Sequence, residues 1–194
     1  DADVEGPNVH HFLDMGEGTE TKVSSMLPII NPNLCTHCGI CVEACAFHAL
    51  ADVRDGVMVF PELCHGCEAC FELCPQKAIS SGSQEIGLLH HWEKPPFDVW
   101  QGRLHLGQVL TPSLIRVLFQ NAGTWSGDIT IVDAPPGTAC PMVAATRQSD
   151  HLLLVTEPTP FGRHDLELAM SVARLLRLPC EVIINRSDGK DEEI

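Results

Sequence analysis

The sequence has 194 residues and carries 12 basic against 26 acidic side chains, which gives a formal net charge of −14. Nucleic acids and anionic membrane surfaces bind through positive charge, so neither is expected to be the main partner of a chain this acidic. Hydrophobic residues make up 44% of the chain, a globular value, and no apolar run approaches the roughly 18 residues of a membrane-spanning helix. The chain begins with Asp1 and ends in a polar stretch after a predicted strand, which favours an internal fragment of a longer protein.

The cysteines are the strongest chemical signal in the sequence. Eight of the ten form two runs of the pattern C-x2-C-x2-C-x3-C, and each member of the first run has a counterpart 29 residues later. This spacing indicates an internal duplication of one supersecondary unit. The two runs are Cys35, Cys38, Cys41 and Cys45, and Cys64, Cys67, Cys70 and Cys74.

This pattern suits two iron–sulfur cubes. Three thiolates two residues apart on a tight loop can bind three corners of one cube, whereas the fourth thiolate points to the cube of the other half. Disulfides do not need a duplicated pattern, and zinc prefers four ligands per ion in separated C-x2-C pairs, so both alternatives are weaker. We expect one [4Fe–4S] cluster on Cys35, Cys38, Cys41 and Cys74, and a second on Cys64, Cys67, Cys70 and Cys45.

Other features of the cysteine region are secondary. Pro75 follows the last cysteine, as in bacterial ferredoxins, whereas Ala46 stands at the equivalent place in the first half. His37 and His65 lie inside the cysteine loops, where each is either a solvated loop residue or a donor that tunes a cluster. Between the runs, residues 51–60 alternate around Asp55-Gly56, which predicts a β-hairpin with its turn at that pair.

The chain after the cysteines predicts an α/β arrangement. Residues 86–92 and 99–106 indicate two strands with Pro95-Pro96 in the turn, and a helix is predicted to begin with Thr111 as N-cap. Residues 128–133, 151–156 and 180–185 are short apolar runs typical of strands buried in a parallel sheet. An apolar helical stripe spans residues 163–177, and the order strand, helix, strand predicts right-handed βαβ crossovers.

Three loops carry polar residues where ligands bind in such sheets, beyond the carboxyl ends of the strands. The first is residues 1–8, DADVEGPN, and the second is residues 133–138, DAPPGT, in which a Gly can approach a phosphate. The third is residues 185–188, NRSD. An Asp at a strand end alone is a weak sign of a magnesium site, but the additional loops strengthen it.

These motifs resemble the MinD/ParA/Mrp branch of P-loop ATPases, and in particular members that carry an inserted two-cluster ferredoxin domain. DADVEGPN resembles the loop after the second strand of that family, DAPPGTACP its Walker B and switch II stretch, and VIINRSD the segment that follows. The resemblance implies a parallel-sheet, P-loop NTPase-like α/β domain in residues 1–30 and 83–194. An α+β ferredoxin-like domain would be inserted at residues 31–82.

The resemblance also implies residue roles and cofactors. Asp133 would hold Mg²⁺ through a water, and Asp3, with Asp1 nearby, would lie beside the metal and the attacking water. Gly137 would sense the γ-phosphate, and Asn185 would bind the adenine. Asp188 would either assist Asn185 or cap a helix, as equal alternatives. ATP and Mg²⁺ would therefore join the two clusters as cofactors, and a nucleotide-sandwiched homodimer is implied.

One family motif is missing from the chain. The phosphate-binding loop G-x-x-x-x-G-K-[ST] is absent, and in the family it precedes the DADVEGPN stretch. Without that backbone and its lysine, we expect these 194 residues to bind nucleotide poorly.

The leading functional hypothesis is a cytoplasmic iron–sulfur protein in which ATP binding or hydrolysis is coupled to electron transfer with an unidentified redox partner or client enzyme. The alternatives are a non-enzymatic electron carrier and a protein that delivers clusters to clients. Cys140, just after the second polar loop, is either a buried structural thiol or a contact to a transferred cluster.

Overall fold

A computed structural model describes residues 1–123 and 129–187 of the chain. In chain order, the helices and strands are α1 (Val9–Phe12), β1 (Thr19–Ile30), α2 (Ile40–Glu43), β2 (Leu50–Val53), β3 (Gly56–Val59), α3 (Ala69–Glu72), β4 (Ile79–Lys94), β5 (Phe97–Leu104), α4 (Thr111–Ala122), α5 (Cys140–Thr146), β6 (Leu152–Thr156), α6 (Pro160–Leu176) and β7 (Cys180–Ile184). No helix in these described ranges is long and apolar enough to cross a membrane.

The largest sheet is antiparallel and carries the cysteine region at one end. Its spatial order is β1-β4-β5, and β1 pairs with β4 from Thr19 opposite His91 to Ile30 opposite Ile79. The sequence analysis did not predict β1, whose first half is mostly polar and which contains Pro28. A proline is tolerated there because β1 is an edge strand of this sheet.

The predicted hairpin after the cysteines is confirmed. Strands β4 and β5 pair from Lys94 opposite Phe97, which leaves Pro95 and Pro96 as the two turn residues. The first residues of the chain lie along β5, the edge strand opposite β1. The N–H of Leu104 in β5 donates to the carbonyl of Val4 over 2.7 Å.

The main core lies between this sheet and helix α4. Leu114 and Ile115 are fully buried and pack with Ile86 and Leu89 of β4. The helix begins one residue earlier than predicted, since Leu110 is its N-cap and Thr111 its first residue. The Thr111 hydroxyl donates to the Glu5 carboxylate over 2.5 Å, so this side chain links α4 to the first loop rather than capping the helix.

A smaller β-α-β unit follows α5. Strands β6 and β7 pair in parallel, with α6 between them, so both predicted strands and the predicted helix are present, with ends shifted by at most three residues. The prediction that these strands are buried is wrong, because Leu153 and Val155 of β6 and Val182 of β7 are exposed. The prediction of a strand at 128–133 is wrong, because residues 129–133 do not form a strand. Residue 128 lies outside the described residues. The wider P-loop-type parallel sheet stays a prediction.

Candidate metal centres

The 29-residue repeat of the cysteines is also a repeat of backbone structure. Helices α2 and α3 begin and end 29 residues apart, and each starts within a cysteine run. The N–H of Asn31 donates to the carbonyl of Ala78 over 2.7 Å, and the N–H of Phe60 donates to that of Ala49 over 2.8 Å. Because these two bonds are related by the same 29-residue offset, the halves use one local fold twice, each half completing its sheet with a strand of the other.

The first cavity of the cysteine region is lined by cysteines from both halves. Cys35, Cys38 and Cys41 contribute from the first run, and Cys74 contributes from the second. Apolar side chains, including Ile30 and Ile79, form much of the remaining wall, together with the polar residues Thr36, His37 and Gln76. The cavity opens partly to solvent, and its empty space, counted together with the solvent at its mouth, is about 380 Å³.

The second cavity repeats this arrangement with the halves exchanged. Its cysteines are Cys64, Cys67 and Cys70 of the second run and Cys45 of the first. Its empty space is about 370 Å³, close to that of the first cavity, as expected for equivalent sites. The fourth cysteine of each run therefore lies at the cavity of the other run.

Left-handed backbone conformations shape both cysteine loops. His37 and Gly39 have φ of 54° and 77°, and the positions 29 residues later, Gly66 and Glu68, have φ of 60° and 64°. Positive φ turns the chain sharply between successive cysteines, so that three side chains can face one space. A histidine and a glutamate in this conformation indicate that the surrounding structure imposes it.

One thiol in each cavity holds its proton more tightly than an ordinary cysteine does. Burial, followed by the charges of neighbouring cysteines, raises the pKa of the Cys41 and Cys70 thiols, while backbone N–H groups partly oppose this. Thiolate is the form that binds iron, so loading these positions must release protons.

The donor set fits iron–sulfur clusters. Four thiolates around an apolar, partly enclosed space are the ligands that a [4Fe–4S] cube takes. Within the described part of the chain, no three His, Cys, Asp or Glu side chains lie close enough to hold a single metal ion. Each cysteine set instead surrounds an open cavity.

Comparison with known families decides the nature of this segment. Residues 34–79 match the model of the 4Fe–4S dicluster domain. They form an iron–sulfur, ferredoxin-like region. The matched dicluster domain lies within the insert predicted at residues 31–82, and in the structure it is bounded by the end of β1 and the start of β4.

Two curated relatives extend the comparison beyond the dicluster domain. The uncharacterized protein MJ0579 of Methanocaldococcus jannaschii is 33% identical over 93 residues, which are 48% of this chain and 35% of the relative. The uncharacterized protein MJ0578 of the same organism is 29% identical over 171 residues, which are 85% of this chain and 58% of the relative. The chain thus spans about a third to three fifths of the length of these relatives.

The two histidines of the dicluster domain have different surroundings. The His37 Nδ1 lies 3.1 Å from an Asp52 carboxylate oxygen, whereas the His65 ring stacks on Phe47 with ring centroids 3.6 Å apart. His37 lines the first cavity and His65 the second. Their predicted tuning role stays a prediction.

The predicted nucleotide residues Asp1, Asp3 and Asp133 lie in two adjoining loops. The N–H of Ala2 donates to the Asp133 carbonyl over 2.8 Å. Burial, followed by the charge of Asp133, raises the pKa of Asp3. The Asp1 carboxylate accepts backbone N–H bonds from Asp3, Asn8 and Val9, so it holds the first loop in shape.

The other predicted nucleotide residues that the structure describes, Gly137 and Asn185, lie in two further loops. Gly137 has φ of 87° in an exposed loop, where an added Cβ would meet nothing within 4 Å. Asn185 follows β7, its N–H donating to Thr156, and its side chain accepts the Arg186 N–H over 3.0 Å. Asp188 lies outside the described residues.

Sequence reasoning missed one residue at the cavities. Glu68 lines the second cavity at the position equivalent to Gly39 of the first. An alignment of the two halves by their 29-residue offset could have found Glu68, because it places this charged residue opposite the uncharged Gly39.

Proposed function

We propose that this chain is an electron-transfer protein that holds two [4Fe–4S] clusters crosswise. The observation that carries the proposal is that each cavity is lined by three cysteines of one run and the fourth cysteine of the other. Bound clusters would each accept or donate a single electron.

The protein contributes ligands and surroundings to this chemistry. Thiolates would hold the iron, and the Ala49 and Ala78 N–H groups donate to the Sγ atoms of Cys45 and Cys74 over 3.3 Å and 3.2 Å. Hydrogen bonds to ligand sulfur stabilise the added negative charge of the reduced state. The apolar walls limit access of water to the bound groups.

Anaerobic reconstitution of the full chain with iron and sulfide tests this function. We expect about eight iron and eight sulfide per chain, a brown colour, and a paramagnetic signal on reduction with dithionite. Cys180→Ser, outside the dicluster domain, is the control and should load equally. Uptake of zinc without iron or sulfide, giving colourless protein, would overturn the proposal.

We further propose that the remaining α/β part serves a nucleotide-dependent function, in which Mg²⁺–ATP is coupled to electron transfer. The observation that favours this is the juxtaposition of the two Asp loops, in which Asp3 lies in the field of Asp133. A cation bound between the two loops would offset the charge of Asp133 at the Asp3 carboxylate.

The coupling is tested in a longer form of the protein that includes a Gly-rich, Lys-containing phosphate loop. Asp133→Asn should abolish ATP turnover in that form and remove the effect of ATP on cluster reduction rates. If Asp133→Asn leaves the response to ATP intact, the coupling is wrong and an electron carrier without ATPase chemistry is the better description. Transfer of a cluster to an apo-acceptor would instead support a delivery role.

A further inference from the structure

The two cavities of the dicluster domain differ in one charged side chain. Among the described residues that line either cavity, Glu68 is the only one with a carboxylate or an amino or guanidino group. Each cavity also has one histidine, His37 or His65, so a histidine ring lines both sites. Asp52, near the first cavity, is hydrogen-bonded to His37 and does not line the cavity.

The backbone places Glu68 at the second cavity by the same turn that places Gly39 at the first. Both residues directly precede a short helix, as the N-caps of α3 and α2, and both are left-handed, with φ of 64° and 77°. A glutamate in this conformation is strained relative to glycine. The sequence therefore keeps a negative side chain where the equivalent loop uses the residue best suited to the turn.

A negative charge beside an iron–sulfur site disfavours the added electron by Coulomb repulsion. Burial acts in the same direction, because the reduced site carries more negative charge than the oxidised one. Cys64 of the second cavity is buried, at 8% exposure, whereas its equivalent Cys35 is only partly buried. Charge and burial thus both lower the reduction potential at the second cavity.

We propose that Glu68 makes the second site, on Cys64, Cys67, Cys70 and Cys45, the lower-potential site of the two. This proposal rests on the proposed function and adds the order in which the two sites are reduced. An electron delivered by a low-potential one-electron donor would settle at the first site, on Cys35, Cys38, Cys41 and Cys74. A second electron would be needed to reduce the second site, and each transfer moves one electron without a bond being made or broken.

A redox titration of the reconstituted full chain, followed by electron paramagnetic resonance, tests the proposal. The wild type should show two one-electron steps at different potentials. Glu68→Gln should shift the lower step upward, because it removes the charge while keeping the side-chain shape. Glu72→Gln, which removes an equal charge from α3 but not from the cavity lining, should shift that step at least about twofold less.

The repeat offers the reciprocal variant. Gly39→Glu would place the same charge at the first cavity, and an added Cβ there meets nothing within 4 Å. This variant should shift the upper step downward and leave the lower step in place. Iron and sulfide content, measured on every sample, separates a failure to bind clusters, which would sink the proposed function, from a failure of this inference.

Three results would overturn the inference. The first is a single common potential for both sites in the wild type. The second is an upward shift of the higher step, rather than the lower one, in Glu68→Gln. The third is an equal effect of Glu68→Gln and Glu72→Gln on the lower step. Since Glu68→Gln changes an exposed side chain conservatively, the test does not depend on the glycine variant folding.

Discussion

The backbone N–H of Ala78 donates a hydrogen bond to the Sγ atom of Cys74 over 3.2 Å. Ala49 makes the same bond to Cys45, over 3.3 Å, at the equivalent place in the first half. Cys74 and Cys45 are the cysteines that line the opposite cavity, and both alanines directly precede a strand. The strand after each run therefore fixes the sulfur that serves the other site.

Loss of Cys74 should open the first site and spare the second. We expect Cys74→Ser to retain about half of the iron and to expose Cys35, Cys38 and Cys41 to alkylation, because their fourth ligand is gone. Mass spectrometry of the alkylated protein identifies the exposed thiols, and Cys180→Ser is the control. Alkylation of Cys64, Cys67 and Cys70 instead would mean that each run holds its own cluster.

The two loop glycines should differ sharply in their tolerance of alanine. A Cβ at Gly66 would lie 2.2 Å from the Ser25 hydroxyl oxygen and 3.2 Å from the Met26 carbonyl, whereas a Cβ at Gly39 meets nothing within 4 Å. Gly39→Ala should lower the free energy of unfolding by roughly 1–2 kcal/mol, the cost of a positive φ for a residue with a Cβ. Gly66→Ala should cost more and reduce iron retention at the second site.

Measured iron content and urea unfolding of the two glycine variants check this prediction. Adding Ser25→Ala to Gly66→Ala removes the nearest clashing atom and should recover part of the loss. Equal behaviour of Gly66→Ala and Gly39→Ala would show that the approach of β1 to the second cysteine loop does not constrain it.

Asp3 should make stability depend on pH. Burial and the charge of Asp133 raise the pKa of Asp3 above its ordinary value of about 4. Folding therefore favours the protonated form of this carboxyl. The contribution of Asp3 to stability is therefore present below that ordinary value and is lost as the pH rises through the raised pKa. Asp3→Asn should be more stable than the wild type at neutral pH, by less than about 1 kcal/mol because Asp3 is partly exposed.

Thermal unfolding of Asp3→Asn and wild type at acid and neutral pH measures this difference. The advantage of the variant should shrink at acid pH, where the wild-type carboxyl is protonated. An advantage that grew on acidification would contradict the sign. Mg²⁺ should stabilise the wild type more than the variant if the two Asp loops share a cation, as proposed.

Truncation of the main core should be far more damaging than truncation of the exposed side of α6. Leu114 has no exposed surface, so Leu114→Ala should lower the free energy of unfolding by about 2–5 kcal/mol. Leu175 is 83% exposed, and Leu175→Ala should change the free energy of unfolding by less than about 0.5 kcal/mol. Urea unfolding followed by circular dichroism measures both. Similar losses would mean that α4 does not form the centre of the core.

The sequence predicted local features better than the arrangement between them. The cysteine repeat predicted an iron–sulfur region because ligand spacing on one short loop is a local property, and the dicluster match at residues 34–79 confirms that region. The hairpin in residues 51–60 also formed, although its turn is Arg54-Asp55, one residue earlier than the predicted Asp55-Gly56. Two-residue turns leave little freedom, so such errors stay small.

Features that depend on distant partners were harder to predict. The first half of strand β1 is mostly polar, and only its pairing with β4, about 60 residues later, makes it a strand. The apolar run from residue 129 to 133 was predicted as a strand, yet Ile129 and Ile131 are more than 80% exposed. Apolar composition alone does not decide strand formation, because a strand needs a neighbour with free backbone groups.

Ile30 and Ile79 are direct partners at the end of the β1–β4 ladder, and all of residues 31–78 lie between them. Antiparallel partners have Cα atoms about 4.5–5.5 Å apart, a gap that a tight hairpin connection can close. Excision of this stretch would thus leave a plain hairpin with its register intact. A single recombination event in the gene could therefore add or remove the cysteine region without changing the pairing of β1 with β4.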